Sequence, residues 1–343
     1  MIVNAQKLEA VLQKPLDQSV YYFFSTEEYL VRQAARRAVD SLCRESGEDA
    51  TVIPGPVPDL DQVVMAAGTI SFFGTRRVVE LPMVQPGSFS DKDLAALGDV
   101  MASAENAVFV ITTVFADDKA KSGKRAKALL AQADKLGVAA DLAAPTQSDA
   151  LRMITQRAAD QNTRLDPGAA RALLDRCGLD LFLLNNEVDK LAAASGYTTI
   201  DSDLVSRMAA RSLEADVFDM VRLVQAKKST LAFRKLEELL LLQNDPIAIS
   251  AALSGSYVDL YRAKTGMAAG RSYSQIHKDF GYRGSDWRMK KAAESASRLS
   301  AKQLRNILEI LLELDQALKS SPTDKAVLLQ TALARIIAAE GRV

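Results

Sequence analysis

The chain has 343 residues, enough for two or three domains that each bury a core, and its 48% hydrophobic and 25% charged residues exclude disordered, collagen-like and disulfide-framed classes. Basic and acidic residues balance at 43 each, so no overall charge draws the chain to nucleic acid. No apolar run is long enough to cross a bilayer and residues 1–12 lack the pattern of a secretory leader, which predicts a cytoplasmic protein with no membrane partner.

Val20 to Phe24 is an unbroken β-branched and aromatic run, too uniformly apolar for a half-exposed strand, and predicts a strand central in its sheet. A helix is expected over Tyr29 to Leu42, where Leu30, Ala34, Ala38 and Leu42 recur on one face. Further strands are expected at Thr51–Ile53, Arg77–Leu81, Ala107–Thr112 and Val138–Ala140, separated by helices at Leu60–Ala67, Lys92–Ala102 and Gly123–Lys135. Strand alternating with helix at this spacing predicts a mostly parallel sheet with helices on both faces.

After Pro145 the strand signals stop and capped helices are expected. The first starts at an Asp166 side-chain cap with Pro167 behind it and runs out at Gly178; others follow Asp180 and Asp201. Longer helices are predicted at Phe218–Ala226, Thr230–Leu242, Pro246–Thr265, Asp286–Arg298, Ser300–Lys319 and Asp324–Ala339. Ser300 with Gln303 makes a capping box, and Leu304, Ile307, Leu308, Leu311, Leu314 and Leu318 form one stripe. The predicted fold class is α/β then all-α: an α/β domain over 1–144, a small helical domain over 145–212 and a helical bundle over 213–343.

Two distant cysteines, Cys43 and Cys177, and a lone histidine, His277, are too few for a zinc site or for Ser-His-Asp or Cys-His catalysis. Both cysteines are expected to be small buried apolar residues. A phosphate-binding loop would sit where the first strand feeds its helix, with glycines and a lysine around the phosphates. Phe24-Ser25-Thr26-Glu27-Glu28-Tyr29 has neither, and its two carboxylates repel a polyphosphate. Gly123-Lys124 is followed by Arg125 rather than Ser or Thr, and reads as a basic surface turn opening a helix. Glu80 stands alone at the end of its strand, and Asp117-Asp118 beside Lys119 and Lys121 reads as a solvated turn. The expectation is no catalytic residue, no metal and no cofactor.

Two segments call for a function. In Thr69-Ile70-Ser71-Phe72-Phe73-Gly74-Thr75-Arg76-Arg77, adjacent phenylalanines follow a helix and precede a strand. The residues allow two placements: both rings plug the end of the sheet, or at least one is displayed as an anchor for a partner. Between Arg262 and Arg305 eleven basic residues face only Asp279, Asp286 and Glu294. There His277-Lys278, Tyr282-Arg283 and Trp287-Arg288, with Lys290-Lys291, interleave rings and cations. This fits either a single-stranded nucleic-acid surface or a buried tryptophan beside a solvated helix face.

The order of these features resembles the delta subunit of the bacterial DNA polymerase III clamp loader. The similarity is carried by the aromatic first strand with Glu28-Tyr29-Leu30, by Ser71-Phe72-Phe73-Gly74-Thr75-Arg76-Arg77-Val78-Val79-Glu80, and by Leu179-Asp180-Leu181 with Asn186-Glu187-Val188-Asp189-Lys190-Leu191. It ends with Asp315-Gln316-Ala317-Leu318-Lys319-Ser320 and Asp324. The resemblance implies an AAA+-like domain that has lost nucleotide binding, a helical lid and a collar bundle for oligomerisation. It also implies a non-catalytic subunit of the DNA-directed DNA polymerase III holoenzyme that binds and opens the sliding clamp, beta. Partners would be the motor and delta-prime subunits through the collar, and primer-template DNA within the assembled loader.

Those relatives carry a four-cysteine zinc site and a Ser-Arg-Cys arginine finger. Here there are only two cysteines, and Arg176-Cys177 follows Asp175. Delta subunits grip the clamp with a hydrophobic pair at a helix end, similar to Gln-Leu-Ser-Leu-Phe. Thr69-Ile70-Ser71-Phe72-Phe73 matches at Ser71 and Phe73, with Ile70 and Phe72 as apolar substitutions and Thr69 in place of the glutamine. The clamp-binding residues implied are Ile70, Phe72 and Phe73; those expected at DNA are Tyr282, Arg283, Trp287, Arg288 and Lys291. The alternatives are a nucleotide-dependent AAA+ ATPase with an atypical phosphate loop and a helical scaffold that binds no clamp.

Overall fold

The structure is a computed structural model and describes residues 2–69, 74–282 and 286–341. It divides into two compact units, Met1–Ala144 and Pro145–Val343.

The first unit runs β1 (Ile2–Asn4), α1 (Ala5–Leu12), β2 (Val20–Ser25), α2 (Glu28–Ser46), β3 (Thr51–Val52) and α3 (Leu60–Gly68). It continues with β4 (Arg77–Leu81), α4 (Asp91–Ser103), β5 (Ala107–Val114), α5 (Asp118–Lys121), α6 (Lys124–Leu136) and β6 (Gly137–Asp141). The six strands pair in the order β1-β6-β2-β5-β4-β3, every ladder parallel. β2 is central as its composition requires: all six of its residues are buried. Its side chains alternate between two cores. Val20, Tyr22 and Phe24 pack with Val63 of α3, Leu97 of α4 and Leu129 of α6; Tyr21 and Phe23 pack with Leu8 of α1 and Val31 of α2. Val20 pairs with Phe109 on one side and Gly137 on the other. The second pairing is so close that a Cβ on Gly137 would lie 2.0 Å from the Val20 carbonyl oxygen.

The second unit starts with α7 (Gln147–Ala159), β7 (Arg164–Leu165), α8 (Pro167–Cys177), α9 (Leu181–Ala194), β8 (Thr199–Ile200) and α10 (Ser202–Met208). The bundle follows: α11 (Leu213–Gln225), α12 (Ser229–Leu241), α13 (Pro246–Ala268), α14 (Tyr273–Asp279), α15 (Trp287–Ala296), α16 (Ala301–Ser320) and α17 (Lys325–Gly341). α13 is the axis of the bundle, packing against α15 and α16, and α17 packs on α16. Leu253, Tyr257 and Leu260 of α13 meet Met289 of α15, Leu304, Ile307 and Leu311 of α16, and Leu333 and Ile336 of α17 in one core. The Ser300–Gln303 capping box forms as expected. In the α16 stripe Leu308 is only partly buried, and Ile310 is fully so.

Several sequence expectations are corrected. Strands do not stop at Pro145: β7 and β8 form a two-residue parallel pair. Asp166 does not cap α8 with its side chain; its carboxylate is 3.2 Å from Arg164 Nε instead. Asp117-Asp118 is more than a turn, because the Asp117 carboxylate accepts from Ala120 N at 2.6 Å and caps the short α5. Cys177 is buried as expected, whereas Cys43 is only half-buried.

Candidate functional site

Helix α3 starts at Asp59, whose carboxylate accepts from the N–H groups of Asp61 at 3.0 Å and Gln62 at 3.4 Å. Its 3.6-residue period sends Val63, Ala66 and Ala67 into the core and turns Asp61, Val64, Met65 and Gly68 outward. Val64 is 51% exposed and Met65 73%, an apolar strip in water on the last two turns. Thr69 leaves the helix with its hydroxyl donating to Met65 O at 2.7 Å. Ile70, Phe72 and Phe73, with Ser71, lie outside the described residues.

The chain returns through Gly74, whose φ of +70° favours glycine. Arg76 anchors the return, donating to the carbonyls of Leu16 at 2.7 Å, Asp17 at 3.0 Å and Gln18 at 3.1 Å. Arg77 pairs with Glu48 at 3.1 Å. Both ends of the segment are thus held by the scaffold.

At the carboxyl edge of the sheet, the turn from β2 into α2 is filled by its own side chains. Ser25 donates its hydroxyl to Leu142 O and accepts from Glu27 N at 2.9 Å. Glu27 caps α2 by accepting from Tyr29 N at 3.3 Å, and Glu28 occupies the first turn. The positive end of this helix, which would favour an anion, therefore meets carboxylates. Lys121 lies over the Phe24 ring at 5.5 Å and pairs with Asp141 at 2.6 Å. At the start of α6, Lys124 and Arg125 both bind Asp91, at 3.0 and 2.9 Å, and together hold its carboxyl below the usual range, the Arg125 hydrogen bond foremost.

Burial pushes the Cys177 thiol up to about 12, with the Glu187 charge adding to it, and burial also raises Cys43. Neither is an activated nucleophile. Among the described residues no group of three or more His, Cys, Asp or Glu is placed to hold a metal, and no helix is long and apolar enough to cross a membrane.

In the bundle, Tyr282 and Arg288 converge on a residue that sequence reasoning missed. Asp259 on α13 is 3% exposed; Tyr282 donates its hydroxyl to Oδ1 and Arg288 its Nε–H to Oδ2. Arg262, also on α13, donates to the Tyr282 hydroxyl at 2.8 Å and lies over the rings of Phe280 at 4.4 Å and Tyr282 at 5.2 Å. His277 stacks on Tyr282 with centroids 5.6 Å apart. Burial raises the Tyr282 hydroxyl above its ordinary value, and its hydrogen bond to Asp259 adds to this, so it stays a donor. Asp259 shares the buried face of α13 with Leu253, Leu260 and Ala263, but nothing in the sequence marks it apart from the other charges on that helix. Lys291 is half-buried on α15. Trp287 opens α15, but its side chain lies outside the described residues, as does Arg283.

These arrangements have counterparts among known proteins. Residues 214–336 match the model of the DNA polymerase III delta subunit, C-terminal domain. The chain is 25% identical over 328 residues to DNA polymerase III subunit delta of Bacillus subtilis (strain 168), covering 93% of this chain and 92% of the relative. Among solved structures, the Bacillus subtilis DNA clamp loader delta protein superposes with a TM-score of 0.65 at 24% identity, covering 97% of this chain and 99% of that one. The fold, a parallel α/β unit followed by helices, is thus shared with that delta protein. Residues 214–336 thus match the DNA polymerase III delta C-terminal domain, and along nearly its whole length the chain resembles the delta subunit of the bacterial DNA polymerase III clamp loader.

Proposed function

We propose that the chain is the arm of a clamp loader that binds and opens the ring-shaped sliding clamp, and that it neither binds nor hydrolyses ATP. The observation that carries the reading is the half-apolar outer face of α3: Val64 and Met65 stand in water on the helix that precedes Ile70, Phe72 and Phe73 in the sequence. Two phenylalanines following an exposed apolar helix face suit a hydrophobic pocket on a partner, where each ring contributes about 1.5–3 kcal/mol. Opening then needs no force from this chain. A partner with higher affinity for the relaxed open form of the ring shifts its population by that differential affinity alone.

The carboxylates that close the start of α2 support the absence of nucleotide binding. Residues 145–212 serve as the lid and 213–343 as the collar that assembles with motor and delta-prime subunits. Tyr282, Arg283, Trp287, Arg288 and Lys291 meet primer-template DNA in the assembled loader, in the cytoplasm. The test is capture of the sliding clamp by the purified full chain with and without ATP. Equal capture in both is expected; capture only with ATP, or none, overturns the reading.

A further inference from the structure

A carboxylate as deeply buried as Asp259 is costly unless matched by donors, and here its donors among the described residues, Tyr282 and Arg288, come from the segment proposed to meet DNA. Tyr282 and Arg288 flank residues 283–287 in the sequence, and Asp259 holds both, one through each oxygen. Arg288 is clamped by its Nε edge, with Nη2 against α13 where a Cβ on Gly255 would lie 2.9 Å away. Yet its side chain remains 53% exposed, so it is held without being enclosed. A guanidinium fixed by a carboxylate while its side chain stays half in water is prearranged for a phosphate, because its planar group loses little freedom on binding.

We propose that Asp259 is a positioning residue for nucleic acid: it holds Arg288 and Tyr282 in the geometry in which they receive the phosphate backbone and a base of primed DNA. The inference rests on the DNA reading above. Asp259 itself touches no DNA; it acts through Arg288, and Tyr282 is held by the same anchor with His277 stacked on its ring and Arg262 donating to its hydroxyl.

The test is a double-mutant cycle on the full chain assembled into its loader, read by fluorescence anisotropy of a labelled primed oligonucleotide over a range of salt concentrations. Arg288→Ala and Asp259→Asn are each expected to weaken binding about fivefold and to lower the salt slope by about one, as for one lost phosphate contact. The double variant should be no weaker than Arg288→Ala alone. A purely structural role would reduce the active fraction and leave the slope of the remainder unchanged. Wild-type affinity and slope for Asp259→Asn in a loader that Arg288→Ala weakens, or additive losses, would overturn the inference while leaving the DNA reading standing. If Asp259→Asn does not fold, Tyr282→Phe removes one of the two donors alone and should weaken binding about twofold to threefold; no change overturns the proposal. Unchanged binding after both Trp287→Ala and Arg288→Ala would remove the DNA reading itself, and the inference with it.

Discussion

Tyr257 on α13 is fully buried and donates its hydroxyl at 2.8 Å to Oε1 of Glu340, the next-to-last residue of α17. Burial pushes the Glu340 carboxyl up to about 7, against the lowering effect of the Tyr257 hydrogen bond. A carboxyl raised in the folded state binds its proton more tightly there than in the unfolded chain. The stability it contributes is full below its ordinary value of 4.5 and is lost as pH rises through about 7. Melting temperature is therefore expected to fall between pH 5 and pH 8. Glu340→Gln should flatten that profile and at pH 8 exceed the parent by about 1–2 kcal/mol, after allowance for the partial exposure of the group. Calorimetry across the range checks it; an unchanged slope in the variant refutes it.

Phe73→Ala is expected to weaken clamp binding at least tenfold, and Met65→Glu, on the exposed face of α3, several-fold. Neither change should alter assembly of the loader, since neither lies in the bundle. Surface plasmon resonance against immobilised clamp, with gel filtration of the assembled loader as control, separates the two effects. Parental affinity in both variants would show that a different surface grips the ring.

Glu27→Ala removes the side-chain cap of α2 and should cost about 1 kcal/mol, seen as a lower denaturant midpoint with an unchanged slope. Isothermal titration of ATP into the same variant should remain silent, because removing a carboxylate supplies neither the glycines nor the lysine of a phosphate loop. Saturable ATP binding by either the parent or the variant would contradict the proposed inactivity.

Ser300→Ala breaks the capping box of α16, in which Ser300 Oγ accepts from Gln303 N at 3.2 Å and Gln303 Oε1 accepts from Ser300 N at 2.9 Å. A loss of about 1 kcal/mol is expected in equilibrium unfolding. Gln303 also donates to Glu340 O at 3.2 Å, so Gln303→Ala should cost more than Ser300→Ala. The reverse order would assign the stability to the hydroxyl alone.

The parts of the fold that could be read in the sequence are those whose burial is extreme. β2 announces itself because both of its faces are covered, and α16 because its stripe is regular over five turns. β1, β7 and β8 escape because two or three residues carry no period and owe their conformation to a partner strand: β1 to β6, β7 to β8. α7 and α14 were legible and missed, since Thr146 with Asp149 and Ser272 with Gln275 are both capping boxes. Asp166 misled because a helix cap and an ion pair need the same carboxylate, and Arg164 takes it. In the candidate site, the rings of residues 70–73 could be singled out by type, but the outward turn of Val64 and Met65 depends on the packing of α3. Asp259 was hidden because a buried acid looks, in sequence, like any charge on a helix.

The contact between Gly137 and the Val20 carbonyl carries a cost for any substitution. Among the described residues β1 pairs with β6 alone, and β6 reaches the rest of the sheet across β2. A single methyl group at Gly137 would wedge that seam at its first rung, loosening two of the six strands together and stripping the cover from Val3 and Leu8. The absence of one carbon atom is what keeps the amino-terminal margin of the molecule zipped.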